Sequence, residues 1–439
     1  MCADSSGVYT VEAGTAPSQA SDNAERPYLP APEDWGELGL TQALLEELAL
    51  KALFLENELS SRELAARMKL SLAVGEQIIQ WLRKDRLCEV KGLAGGIYRV
   101  AITGQGRERA IDAMARNGYV GPAPVPLNSY IERIAAQCVR RAEVGPDDVS
   151  RIFSHLVLGE QALESIGTAI ASGSTLFMYG PPGTGKTAIA EAIAGAFNDA
   201  VWIPYAVEVD GQMITLYDPG VHKPSPITPN DGYDERWVLC RRPCVILGGE
   251  LTIEMLDLQF NPASRFYGAP PQMKANNGVL VVDDFGRQRV RPEELLNRWI
   301  VPLERRVDLL SLAGGKKFDI PFDIMVVFAT NLELRDLGDD AFLRRMSSKI
   351  KMKYVSREQF HRIFQHIAPE YGVQYDASLT DHLIELLTQS YSEPLRPCYP
   401  RDILRQIGWM ARYHGQPPRL DVASIEDACH NYFLPAEDQ

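Results

Sequence analysis

One octapeptide constrains this chain more than any other feature. Residues Gly180-Pro181-Pro182-Gly183-Thr184-Gly185-Lys186-Thr187 satisfy G-x-x-x-x-G-K-[ST] in full. They follow an apolar run, Thr175–Tyr179, and precede a stretch carrying Ile189, Ile193 and Phe197 at helical spacing. Strand, glycine-rich turn and helix, in that order, is the context in which this pattern binds phosphate. The glycines let the backbone curl until several N–H groups converge on one anion, and the helix N-terminus adds a favourable dipole. Lys186 then offers a cation to the β and γ phosphates, and the Thr187 hydroxyl is suited to ligate Mg²⁺. ATP with Mg²⁺ is the expected ligand.

Apolar runs at Ala200–Pro204, Cys244–Leu247, Val279–Val282 and Ile324–Phe328 alternate with helical stretches, which predicts a parallel sheet with helices on both faces. Val279–Val282 ends in Asp283-Asp284. Beside a phosphate loop, this pair reads as a metal-holding carboxylate, Asp283, and a water-polarising one, Asp284. The run Ile324–Phe328 leads into Asn331, which is expected at the carboxyl end of a neighbouring strand, where it would orient the attacking water.

These residues resemble the AAA+ ATPase family over roughly 150–435. The resemblance extends to Ala341-Phe-Leu-Arg344-Arg345, similar to the segment whose arginine reaches a neighbouring subunit's nucleotide. Pro400-Arg401-Asp402 is similar to the family's sensor-2 position, and Val157-Leu158-Gly159 falls where members contact adenine. Val307–Leu312, Gly314–Gly315 and Lys317–Phe322 read as a hairpin before the Asn331 strand, similar to the pre-sensor-1 branch. Phe266-Tyr267-Gly268, Ala275-Asn-Asn-Gly278 and the strand after them resemble MoxR-type members. The resemblance implies a homo-oligomeric, hexameric ring and ATP hydrolysis. It also sharpens one departure: this chain has Asp284 where most members carry Glu, a carboxylate one methylene shorter.

In front of the α/β core, residues 1–38 are rich in Ser, Ala, Pro and acidic side chains, which predicts a flexible tail. Helical periodicity begins at Leu45, and Ser60 with Glu63 forms a capping-box pattern. A third helix carries Val74, Ile78 and Leu82, followed by two strand-like runs and a closing helix. That order of elements over 39–120 looks like a winged helix-turn-helix domain. The Pro-punctuated stretch 121–150 reads as a linker, 151–355 as the ATPase core, and 356–439 as a helical lid.

The region 39–120 holds twelve Lys and Arg against ten Asp and Glu, while the whole chain sums to −13. This excludes a general nucleic-acid coat protein. It leaves DNA binding through Lys91 and Arg99 and protein docking equally open. Phe266-Tyr267 reads either as an aromatic loop gripping a polypeptide or as packing beneath the long segment 205–277. Two functions follow: a MoxR-like remodeller of a protein client, or an ATP-switched DNA-associated regulator. Seven scattered cysteines suit free thiols in a reducing cytoplasm, and no apolar run approaches a membrane span.

Overall fold

The computed structural model describes residues 29–95, 97–226, 232–333, 344 and 346–433. The first elements are α1 (Gln42–Glu56), β1 (Glu58–Ser60), α2 (Ser61–Met68), α3 (Leu72–Lys84), β2 (Cys88–Ala94), β3 (Ile97–Ile102) and α4 (Gly104–Arg116). Ser60 caps α2 through the capping box read from the sequence: its hydroxyl accepts from the Glu63 N–H, and the Glu63 carboxylate accepts from the Ser60 N–H. β1, β3 and β2 form an antiparallel sheet in that order.

The expected linker is ordered. It contains β4 (Val125–Pro126), α5 (Leu127–Ala136) and α6 (Pro146–Ile152), with Tyr130 fully buried and Ile134 nearly so. Next come α7 (Glu160–Ser172), β5 (Leu176–Tyr179), α8 (Lys186–Ile193), β6 (Ala200–Pro204), β7 (Ala206–Val209), β8 (Gln212–Thr215), β9 (Trp237–Arg241) and β10 (Cys244–Leu247). They are followed by β11 (Gln259–Asn261), β12 (Phe266–Gly268), α9 (Pro271–Lys274), β13 (Val279–Val282), α10 (Pro292–Arg305), β14 (Val307–Ser311), β15 (Lys317–Pro321), β16 (Met325–Thr330) and β17 (Ser348–Lys351). Among the described residues, four α-helices follow: α11 (Arg357–Ile367), α12 (Ala377–Glu385), α13 (Tyr399–Tyr413) and α14 (Val422–Tyr432).

The central sheet is parallel in the order β10-β13-β16-β5-β17. The inner strands β13 and β16 are buried along their whole length and nearly all apolar, while edge strand β17 carries exposed lysines; alternate side chains of the inner strands enter opposite cores. Val279, Val281, Leu176 and Met178 face the core shared with α7 and α8. Leu280, Val282 and Phe177 face the one shared with α10, where Phe177, Phe285, Phe328 and Trp299 cluster edge to face. β6 departs from expectation. It pairs antiparallel with β9 instead of joining the parallel sheet, because Val201, Trp202 and Ile203 belong to the core beneath the inserted strands.

A second sheet, β11-β12-β8-β7-β4, carries that insertion. Its underside closes the N-terminal core, since Ala206 and Met213 pack among Leu38, Leu48, Met68 and Tyr119. The seam is also hydrogen-bonded: the Ala123 N–H reaches the Met68 carbonyl at 2.7 Å and the Gly118 N–H the Ser264 carbonyl at 2.8 Å. Of the two readings of Phe266-Tyr267, packing is the one observed. Tyr267 is 4% exposed and Phe266 lies edge-on to Tyr119.

Asp323, in the turn from β15 to β16, ties these parts together. Its carboxylate accepts from the Val139 N–H at 2.7 Å, the Asn277 side-chain amide at 2.6 Å and the Cys138 thiol at 3.0 Å. Its own N–H donates to Asn276 at 2.9 Å, and Asn276 donates to the Tyr130 hydroxyl at 2.8 Å. Asp323→Ala strips buried donors of their acceptor. It should cost about 3 kcal/mol or more of unfolding free energy, measured by urea titration.

His222 is fully buried, with Nδ1 accepting from the Asp218 N–H and Nε2 facing the Lys274 carbonyl, both at 2.9 Å. Burial holds its pKa below the ordinary 6.5. The folded chain therefore keeps it neutral, while the unfolded chain protonates it below that value. Its contribution to stability is present above about pH 6.5 and is lost as pH falls. The melting temperature should drop between pH 7.5 and 5, and His222→Gln should flatten that drop.

Candidate functional site

The loop 180–187 lies between β5 and α8, as the sequence requires. Gly180, Gly183 and Gly185 have φ of 134°, 76° and 86°, backbone that side-chain-bearing residues rarely adopt. A Cβ on Gly180 would collide with the Met352 carbonyl, which follows β17, so the strand packing also demands glycine there. Thr184 donates from its hydroxyl to the Pro181 carbonyl at 2.9 Å and fixes the loop's curl.

Lys186 is 7% exposed, and its ammonium donates to the Gly180 and Pro181 carbonyls at 2.8 Å each. Burial lowers its pKa, and the charges of Asp283 and Asp284 oppose that shift. The ammonium is thus held by the loop's own oxygens. A phosphate oxygen, carrying full charge, is a stronger acceptor than a neutral carbonyl.

Across the loop mouth, the Thr187 hydroxyl donates to the Asp283 carboxylate at 2.9 Å. The other Asp283 oxygen accepts from the Asp284 N–H at 2.9 Å. Asp284 itself is exposed and left-handed, φ 49°, a conformation Asp tolerates better than most residues. The Asn331 side-chain amide donates to Asp284 at 3.1 Å. Lys186, Thr187, Asp283, Asp284 and Asn331 are therefore brought together. A hydroxyl and a carboxylate with the remaining positions open suit Mg²⁺, which keeps waters and takes substrate phosphates as ligands. When bound there, Mg²⁺ would be held by Thr187 and Asp283 and would neutralise phosphate charge.

The remaining expectations are placed less tightly. Gly159 is the exposed residue that opens α7, while Val157 beside it packs against the lid core. Arg344 is exposed, and Arg345 lies outside the described residues. Arg401 is exposed in the first turn of α13, and no hydrogen bond or ion pair of its side chain is found among the described residues. Two residues just before α13 come closest to the loop instead. A Cβ on Gly183 would lie 2.8 Å from the Cys398 sulfur and 3.3 Å from Arg396 Cδ. No sequence motif marks Arg396, which stands five residues before the position that the family pattern favours.

Residues 176–221 match the family described as "ATPase family associated with various cellular activities (AAA)", and residues 356–431 match a "Domain of unknown function (DUF8689)". No curated protein matches the chain. Among solved structures, NtrX from Brucella abortus in complex with ATP is 16% identical, with a TM-score of 0.39. The alignment covers 64% of this chain and 58% of that one, so this chain spans less than two thirds of NtrX. The Thermotoga maritima RuvB Holliday junction branch migration motor is 12% identical, with a TM-score of 0.35, covering 66% of this chain and 70% of that one. The family match encloses the phosphate loop with its flanking strand and helix, the segment that carries Lys186 and Thr187.

Proposed function

We propose that the protein hydrolyses ATP within a ring of identical subunits and uses the cycle to remodel a protein partner, in the manner of MoxR-type members. The observation that carries the hydrolytic part is the hydrogen-bonded run from Thr187 through Asp283 and Asp284 to Asn331 at the mouth of the phosphate loop. Lys186 exchanges backbone carbonyls for phosphate oxygens. Asp284 accepts a proton from the attacking water, and Asn331 holds that carboxylate in place. Asp284 is one methylene shorter than the usual Glu, and its exposed, left-handed backbone sets where its carboxylate can reach. Arg344, exposed on the far side of Asn331 in sequence, is suited to serve a neighbouring subunit.

The winged-helix reading of residues 39–120 accords with the order α1-β1-α2-α3-β2-β3-α4. Charge pairing favours protein docking over DNA for this region. Lys91 is bridged to Glu89 at 2.6 Å and Arg99 to Glu58, so the wing cations are answered by their own carboxylates. Apolar Leu93, 63% exposed, projects from the same wing.

Lys186→Ala should abolish binding of an ATP analogue while the melting temperature stays near that of the unchanged protein; undiminished affinity would refute the site. Asp284→Asn should bind ATP and lose about 10²–10⁴ in turnover, the usual worth of a positioned base. Arg344→Ala should retain binding and lose about 10³ or more in turnover if it acts in trans. Activity should then return in part when this variant is mixed with Lys186→Ala protein, and no recovery on mixing would remove the shared site.

A further inference from the structure

The turn that carries Asp284 is built by a residue outside every motif read from the sequence. Between β13 and α10 the backbone is left-handed twice, at Asp284 with φ 49° and at Gly286 with φ 96°. A residue with a side chain keeps such a conformation only where its surroundings over-determine it. The middle of the turn is stapled to β16. The Phe285 N–H donates to the Ala329 carbonyl at 2.8 Å, and the Phe285 carbonyl accepts from the Thr330 hydroxyl at 2.6 Å. The two ends are closed by one side chain, Gln288. Its Nε2 donates to the Asp283 carbonyl at 2.6 Å, and its Oε1 accepts from the Gly286 N–H at 2.8 Å. These partners fix which end of the amide is which, because a carbonyl requires the NH₂ and an N–H requires the oxygen. Half-buried Gln288 thus spends both polar atoms on the backbone that brackets Asp284.

We infer that Gln288 is a positioning residue for ATP hydrolysis: by clasping the backbone on both sides of Asp284, it sets where that carboxylate meets the attacking water. The shorter acid makes the clasp matter. Asp has one side-chain torsion fewer than Glu, so a misplaced backbone is harder to correct from the side chain. Asn331 holds the carboxylate from the neighbouring strand at 3.1 Å, and a turn that drifted would stretch that bond as well. Gln288 acts through Asp284 and involves no covalent step of its own. The inference rests on the hydrolytic reading of Asp284.

The test is ATP turnover by the full chain, unchanged and with Gln288 and Asp284 substituted singly and together. Affinity for a fluorescent non-hydrolysable analogue is measured beside it. Gln288→Met keeps the side chain's length and loses both hydrogen bonds. It should lower kcat about tenfold to a hundredfold, the effect of a misplaced group, and leave KM and analogue affinity unchanged. Placed on Asp284→Asn, the same change should lower the residual single-turnover rate by less than about twofold, because the group it positions is gone. A glutamine that merely braces the fold would cost the same factor in both backgrounds, or would raise KM while lowering kcat. Either result overturns the inference, as does full turnover by Gln288→Met. If Gln288→Met fails to fold, Gln288→Glu takes its place: the carboxylate still accepts from Gly286 but no longer donates to Asp283, and a loss confined to the Asp284 background is again expected. Asp284→Asn separates the two ideas. If it turns over ATP at the full rate, the hydrolytic reading fails and takes the inference with it. If it is slow while Gln288→Met is not, only the positioning role fails.

Discussion

The architecture depends on a single buried carboxylate. Asp323 sits where the hairpin β14–β15 gives way to β16, and its two oxygens gather donors from Cys138, Val139 and Asn277. Those donors come from the segment after α5 and from the turn entering β13. The two strands that end in Asp283 and Asn331 are thereby clamped at their starting ends, opposite the site. Arg242 reinforces the clamp, donating to the Gln137 and Asn277 carbonyls at 3.0 and 2.7 Å while forking onto Asp199. A buried polar network whose members are satisfied rigidifies the core and fixes how its elements are set against one another. Register is what the site needs, because a slip of one residue in β13 would turn Asp283 away from Thr187.

The sequence reading succeeded where chemistry is local. The phosphate loop, the capping box at Ser60 and the apolar strands with period-free burial each leave a signature within ten residues. That the carboxylate pair and Asn331 lie together was legible because neighbouring parallel strands end side by side. In Ala275-Asn-Asn-Gly278, Asn276 and Asn277 supply the amides of the Asp323 network, a long-range role that the local sequence does not reveal. Gly278 is required because a Cβ there would collide with the Pro243 carbonyl.

What escaped was decided at long range. Residues 121–150 look like a linker because prolines and glycines punctuate them, yet Tyr130 is buried through contacts with Met273 and Asn276, more than a hundred residues away. β6 has the composition of a central strand, but the core it enters is set by β9 and by the hairpin of β7 and β8. Arg396 lies outside any motif. It meets Gly183 only because the lid folds back onto the phosphate loop, a contact no local pattern encodes.

The seam between the N-terminal elements and the inserted sheet has a mechanical meaning. Ala206 and Met213, on strands inserted into the ATPase core, are core residues of the N-terminal unit, and Tyr119 interlocks with Phe266 across the same junction. A flexibly tethered recruitment module would dissipate any pull exerted through it. Here a load on the wing passes through packed side chains into β7 and β8, and through the backbone of β6 to the helix that begins at Lys186. The N-terminal unit is thus joined by packed side chains, not by a loose tether, to the strands that lead back to the helix after the phosphate loop.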